Sequence, residues 1–183
     1  SSDVCSSDLF EGHPDNAAPA FLGGLTASFM HEGRAVAVPF SPDPAWRFVA
    51  VIPNYEVRTE EARRIVRRDI DLSAAVHTMS HAIAMVRGLE TGDEALVGAA
   101  CADVLHEPYR RTLIAEYNAM RAMALEAGAA TFFISGSGST MIAATKSEAV
   151  AEAFVAKVRE TWPDFAARVL TVCHEGTTVT VED

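Results

Sequence analysis

Residues 131–145 read TFFISGSGSTMIAAT, two short apolar runs on either side of a glycine-serine loop. Thr131–Ser135 and Thr140–Thr145 are therefore predicted as strands, with Gly136-Ser137-Gly138-Ser139 connecting them. Downstream, Ser147–Thr161 has a helical pattern, and Ala167–Cys173 and Thr177–Glu182 read as two closing strands. Upstream, Arg47–Ile52 is a strong strand ended by Pro53. Thr59 followed by Glu60 and Glu61 reads as a helix N-cap with acids in the first turn, where they meet exposed amides and the helix dipole. Leu72, Val76, Met79, Ile83 and Val86 recur at spacings of three and four, which predicts a helix with one continuous core stripe. Further helices are predicted over 94–103 and 113–127, the last closed by Gly128. Strand, several helices, two strands, helix and strand describe the α+β class, an antiparallel sheet with helices on one face.

The segment before this set is different. Around residues 14–21 a proline and polar residues precede a short apolar helix that Gly23-Gly24 stops, and Leu25–Met30 and Arg34–Phe40 form a hairpin about His31-Glu32-Gly33. Ser41-Pro42-Asp43-Pro44 is a linker, so residues 10–45 are expected to be the remnant of one domain and 46–183 a second. Residues 1–9 repeat a Ser-Ser-Asp unit without periodicity and resemble the conceptual translation of a sequencing adapter; they are left out of fold reasoning.

Bulk properties narrow the function. A formal charge of −10 repels a phosphate backbone, which argues against nucleic acid as a general partner, while local amides and a cation still permit nucleotide binding. No apolar run approaches the roughly 20 residues of a membrane helix, and a cytosolic setting is expected. Cys5, Cys101 and Cys173 match neither a disulfide framework nor a zinc spacing, so Cys101 and Cys173 are expected to pack as small apolar residues.

Three constellations carry chemistry. Glu11-Gly12-His13-Pro14-Asp15-Asn16 places two carboxylates, an imidazole and an amide in six positions, suited to a metal and a polar substrate, although a helix-capping turn uses the same residue types. Ser135-Gly136-Ser137-Gly138 offers successive amides to an anion, or is a plain turn. Arg63 and Arg110 bring guanidinium groups suited to carboxylates. His77 and His81 stand one helical turn apart, but with no third ligand in the pattern they read as a structural pair or a cleft wall. The run Arg63, Arg64, Arg67 and Arg68 is balanced by Glu60, Glu61, Asp69 and Asp71.

Taken in order, residues 11–16 (EGHPDN), 18–24 (APAFLGG), 59–63 (TEEAR), 107–110 (EPYR) and 135–140 (SGSGST) resemble the homoserine kinase family of the GHMP kinase superfamily, from Phe10 to the C-terminus. The resemblance implies a two-domain enzyme with ATP and Mg²⁺ as cofactors and L-homoserine as substrate, homodimeric at full length. It implies that His13, Asp15 and Asn16 touch homoserine, that Arg63 and Arg110 hold its carboxylate or the transferring phosphate, and that Glu11 is the Mg²⁺ ligand. It assigns ATP contacts to Ser135, Gly136, Ser137 and Gly138, and a weaker role near the site to His81. Two departures stand out: the family's N-terminal phosphate-binding loop has no counterpart here, and Ser139 replaces a usual proline. Asp15, at a helix N-terminus, suits a stable negative charge that anchors the substrate's ammonium rather than a base. Another GHMP-type small-molecule kinase, or a non-catalytic amino-acid-binding module, are the rival readings.

Overall fold

The computed structural model describes residues 14–180, and the chain divides into two compact units. The described residues up to Pro44, with those from Val172 onward, form the first unit, and Ala45–Thr171 form the second.

In the first unit, helix α1 (Ala17–Leu22) precedes strands β1 (Leu25–His31) and β2 (Arg34–Phe40), which pair antiparallel with Leu25 opposite Phe40 and His31 opposite Arg34. Glu32 and Gly33 both take positive φ, 48° and 76°, as a two-residue hairpin turn matched to strand twist requires. The strand expected over 177–182 is not formed among the described residues. Its backbone serves α1 instead: the Thr177 N–H donates to the Phe21 carbonyl at 3.2 Å and the Thr177 hydroxyl to the Ala20 carbonyl at 2.8 Å. Gly24 N–H likewise donates to the Cys173 carbonyl at 2.7 Å. A Cβ at Gly176 would lie 2.2 Å from the Phe21 oxygen, so this crossing of two backbones requires glycine. Cys173 itself is exposed rather than packed, because the segment is held through its backbone.

The second unit is built on a four-stranded antiparallel sheet of β3 (Arg47–Ile52), β4 (Thr131–Ile134), β5 (Met141–Thr145) and β6 (Ala166–Leu170), in the order β4-β5-β3-β6. The continuous apolar run 48–51 makes β3 a central strand: Val49 pairs with Ala143 on one side and Val169 on the other. Odd-numbered residues of β3 point into the main core. There Val49, Val51, Phe132, Met141 and Ala143 meet helix α6 (Tyr117–Glu126), through Tyr117, Met120 and Ala124, and helix α7 (Glu148–Thr161), through Phe154, Val155 and Val158. These two helices cover one face of the sheet. The other face has a smaller cluster in which Trp46, Phe48 and Ala144 meet Val97 of helix α4 (Glu94–Ala100) and Met85 and Leu89 of helix α3 (Leu72–Thr91).

Helix α3 corrects the sequence reading. Its Leu72–Ile83 stripe, expected in the core, is exposed, with Leu72 at 79% and Ile83 at 74% of full accessibility. The inward side is instead set by Gly88, where a Cβ would come within 2.8 Å of a Val97 methyl, and by His77, whose Nε2 lies 2.9 Å from the Ala102 carbonyl. Close approach at one glycine fixes the helix rotation and turns the larger side chains outward.

Local polar groups set other boundaries. Ser147 caps α7 by accepting the Val150 amide, and Asp93 caps α4 by accepting that of Leu96. Helix α4 stops at Ala100 rather than continuing to 103, and the helix expected from 113 is broken. A single 3₁₀ turn, Arg111–Leu113, ends at Ile114, whose extended backbone buries its side chain in the core before α6 begins at Tyr117. Among the described residues no helix is long and apolar enough to cross a membrane.

Candidate active site

The glycine-serine loop after β4 is closed by two internal bonds: Ser135 N–H donates to the Thr140 carbonyl at 2.9 Å and Gly138 N–H to the Ser135 carbonyl at 3.0 Å. Gly136 and Gly138 take φ of 58° and 88°. Ser139, where the resemblance expects proline, is buried, and its hydroxyl donates to the Tyr55 carbonyl at 2.6 Å, so the loop is tied to the segment after β3. Gly138 is confined as well, since a Cβ there would lie 3.1 Å from the Ile114 side chain, whereas one at Gly136 meets nothing within 4 Å. Gly138→Ala is therefore expected to lose about 1–3 kcal/mol of stability and Gly136→Ala about 1 kcal/mol, the difference being read from urea midpoints.

Two other motifs converge on this loop. Helix α5 (Glu107–Arg110) presents Arg110, whose Nη1 donates to the Gly136 carbonyl at 2.8 Å. The Arg110 Nε is buried and has no partner among the described residues. Helix α2 (Thr59–Arg64) brings Thr59 Oγ1 to 3.5 Å from Ser137 Oγ. Thr59 is thus not the N-cap expected from the sequence. Arg58 holds that position in extended geometry, and the hydroxyl faces the loop. Arg63 is exposed on the same helix, one turn beyond Thr59, while Arg67 of the same basic run pairs with Asp69 at 2.9 Å. Asp15 and Asn16 lie in the first unit, exposed at the start of α1 with Asn16 at its N-cap position. Glu11 and His13 lie outside the described residues.

Helix α5 is only four residues long and owes its shape to its neighbours. The Asp103 carboxylate accepts the amides of Leu105 at 2.7 Å, His106 at 3.1 Å and Glu107 at 2.8 Å. Glu107 accepts the Tyr117 hydroxyl and, at 3.4 Å, the amide of Ile134, the last residue of β4. Burial first, and then this bond to Glu107, push the Tyr117 hydroxyl above the usual phenol range, which keeps it a donor. Nothing in the motif spacing marked Asp103 or Tyr117. An acid four residues before Glu107 and a tyrosine ten after it acquire their roles only when the turn folds back on β4.

A cavity of about 370 Å³ opens beside α5, lined by His81, Met85, Cys101, Glu107 and Ile134 among others. His81 stacks on His77 with ring centroids 3.7 Å apart, and its Nδ1 meets the His77 carbonyl at 2.8 Å, so Nδ1 carries the proton. His81 thus lines the cavity with His77 stacked against it. Burial raises the Cys101 thiol above its ordinary range. Among the described residues no three His, Cys, Asp or Glu side chains gather as a metal cage.

Residues 85–164, which include this loop and the short helix whose arginine meets it, match the family model described as GHMP kinases C terminal. Curated relatives of this chain include homoserine kinases. That of Thermosynechococcus vestitus is 37% identical over 176 residues, covering 92% of this chain and 58% of the relative. That of Trichodesmium erythraeum is 42% identical over 139 residues, covering 75% of this chain and 45% of the relative. The chain therefore spans about half the length of these relatives. Among solved structures, homoserine kinase from Cytophaga hutchinsonii superposes with a TM-score of 0.82 at 28% identity, over 92% of this chain and 55% of that one. L. major mevalonate kinase, with a TM-score of 0.65 at 15% identity over 91% of this chain and 54% of its own, shares the fold alone.

Proposed function

We propose that this chain is the C-terminal part of a homoserine kinase, which transfers the γ-phosphoryl group of ATP to the side-chain hydroxyl of L-homoserine. The observation that carries this reading is the half-buried Arg110, fixed through Nη1 to the Gly136 carbonyl with its Nε still unpartnered among the described residues. A desolvated guanidinium beside a glycine-serine loop is built to receive an anion. The identity to homoserine kinases over most of the chain supports the choice of substrate within the class.

Phosphoryl transfer asks a protein mainly for alignment and charge neutralisation. In this reading Arg110 and Arg63 hold the substrate carboxylate or the equatorial phosphate oxygens, and of the loop Ser135–Gly138 the Gly136 and Ser137 amides face the nucleotide, those of Ser135 and Gly138 being bonded within the loop. His13, Asp15 and Asn16 contact homoserine, with Asp15 holding its ammonium. The hydroxyl proton passes to the γ-phosphate, and no side chain acts as base. Mg²⁺, which commonly binds through one or two carboxylates and phosphate oxygens, would be held by Glu11 and would neutralise phosphate charge.

The test uses the full-length protein that carries this chain. With ATP, Mg²⁺ and L-homoserine, phosphorus NMR is expected to show a phosphate monoester on homoserine; transfer to mevalonate or a sugar alone, or homoserine binding without transfer, removes this reading in favour of its rivals. In the same assay Asp15→Asn is expected to raise the homoserine KM about 10-fold or more with little change in kcat. Collapse of kcat at saturating homoserine would instead make Asp15 a base.

A further inference from the structure

Arg110 sits at the end of a four-residue helix, an element too short to keep its own shape. It is nevertheless held on both sides. On the strand side, Arg110 reaches Gly136 and Glu107 reaches Ile134, two residues apart along the chain leading into the loop. On the helix side, the remaining Glu107 oxygen accepts the Tyr117 hydroxyl. Tyr117 is the anchor of this arrangement: it is 1% exposed, starts α6, and its ring packs 5.6 Å from that of Phe132 on β4. The Glu107 contact to Ile134 is long, so without the phenol the carboxylate keeps only that weak tie, and the turn that carries Arg110 gains freedom.

We infer that Tyr117 is a positioning residue for Arg110, acting through Glu107 to hold the guanidinium against the glycine-serine loop. The inference rests on the reading that Arg110 engages the substrate or the transferring phosphate. Tyr117 touches neither reactant; its hydroxyl sets where the charge of another residue stands, and displacement of a catalytic group by about an ångström is costly to rate.

Tyr117→Phe deletes the hydroxyl and keeps the ring. In the full-length protein it is expected to lower kcat/KM for homoserine about 10-fold, and Glu107→Ala at least as much. Glu107→Gln, which retains a carbonyl oxygen for the phenol, is expected to restore most of the activity lost in Glu107→Ala. The deciding measurement is the cycle with Arg110→Ala. If Tyr117 works through Arg110, Tyr117→Phe makes no further difference in the Arg110→Ala background, in kcat/KM or in the homoserine Kd by calorimetry. A loss from Tyr117→Phe that persists undiminished in that background identifies a general packing effect and overturns the inference, as does wild-type activity in Tyr117→Phe. Should Arg110→Ala itself keep wild-type activity, the parent reading of Arg110 falls and the inference with it, an outcome distinct from the others. If Tyr117→Phe does not fold, the Glu107→Gln and Glu107→Ala pair carries the same cycle.

Discussion

On the proposed kinase reading, Arg110→Ala in the full-length protein is expected to lower kcat/KM for L-homoserine by about 100-fold, an effect of ~3 kcal/mol on the transition state. The size follows from where the guanidinium stands. Its Nη1 is committed to the Gly136 carbonyl, and its Nε is buried and unpartnered among the described residues, so the positive charge is partly desolvated before any ligand arrives. An anion meeting such a group gains more than one meeting a solvated arginine, because the cost of stripping water has been met in folding. Lysine should not restore activity: it supplies a point charge but cannot donate to Gly136 and the anion in the same planar geometry. The measurement is steady-state kinetics for both substrates. An unchanged kcat/KM in Arg110→Ala would place the reacting groups elsewhere. Arg63, exposed on α2, is expected to contribute less, since a solvated charge is screened.

Trp46→Ala produces the largest loss of stability expected from a single change in the second unit, about 3–5 kcal/mol by urea unfolding. Trp46 is fully buried, and its indole N–H donates to the Leu89 carbonyl at 2.8 Å. It therefore does two things: it fills the cluster behind β3 with Val97 and Ala144, and it satisfies a carbonyl in the last turn of α3. Truncation leaves a cavity and an unpaired acceptor. Trp46→Phe separates the two, keeping most of the volume and losing the hydrogen bond, with an expected cost of about 1–2 kcal/mol. Equal losses for the two variants would show that packing volume is minor and the bond dominant. Because α3 also carries His77 and His81, loosening its last turn is expected to widen the cavity beside α5.

Reading the chain alone located the sheet well. Arg47–Ile52, Thr131–Ile134 and Met141–Thr145 are runs with glycine, proline or serine within three residues on each side, and such runs have few alternatives to a strand. The capped helix after Ser147 was equally legible, since its cap and its apolar face agree. Helix α3 was legible as a helix but not in its rotation. The stripe from Leu72 to Ile83 has the larger apolar side chains, and periodicity alone assigns them to the core; the glycine at position 88 and the histidine at 77 decide otherwise, through contacts whose partners lie at Val97 and Ala102. Thr59 failed as a cap for a related reason: a hydroxyl at a helix start has more than one partner in reach, and here the one it meets belongs to a loop 78 residues away.

What the amino-acid order determined by itself is most of the elements and the residue types of the motifs, because both depend on near neighbours: alternation, capping and turn chemistry. What only tertiary structure decided is which of those groups meet. Arg110 and Gly136 are 26 positions apart and meet through one hydrogen bond, and the residues that hold them there are Asp103 and Glu107 of one turn and Tyr117 of the following helix. Side-chain hydrogen bonds and close backbone approaches act over about 3 Å, and no local pattern encodes a distance of that kind between residues so far apart.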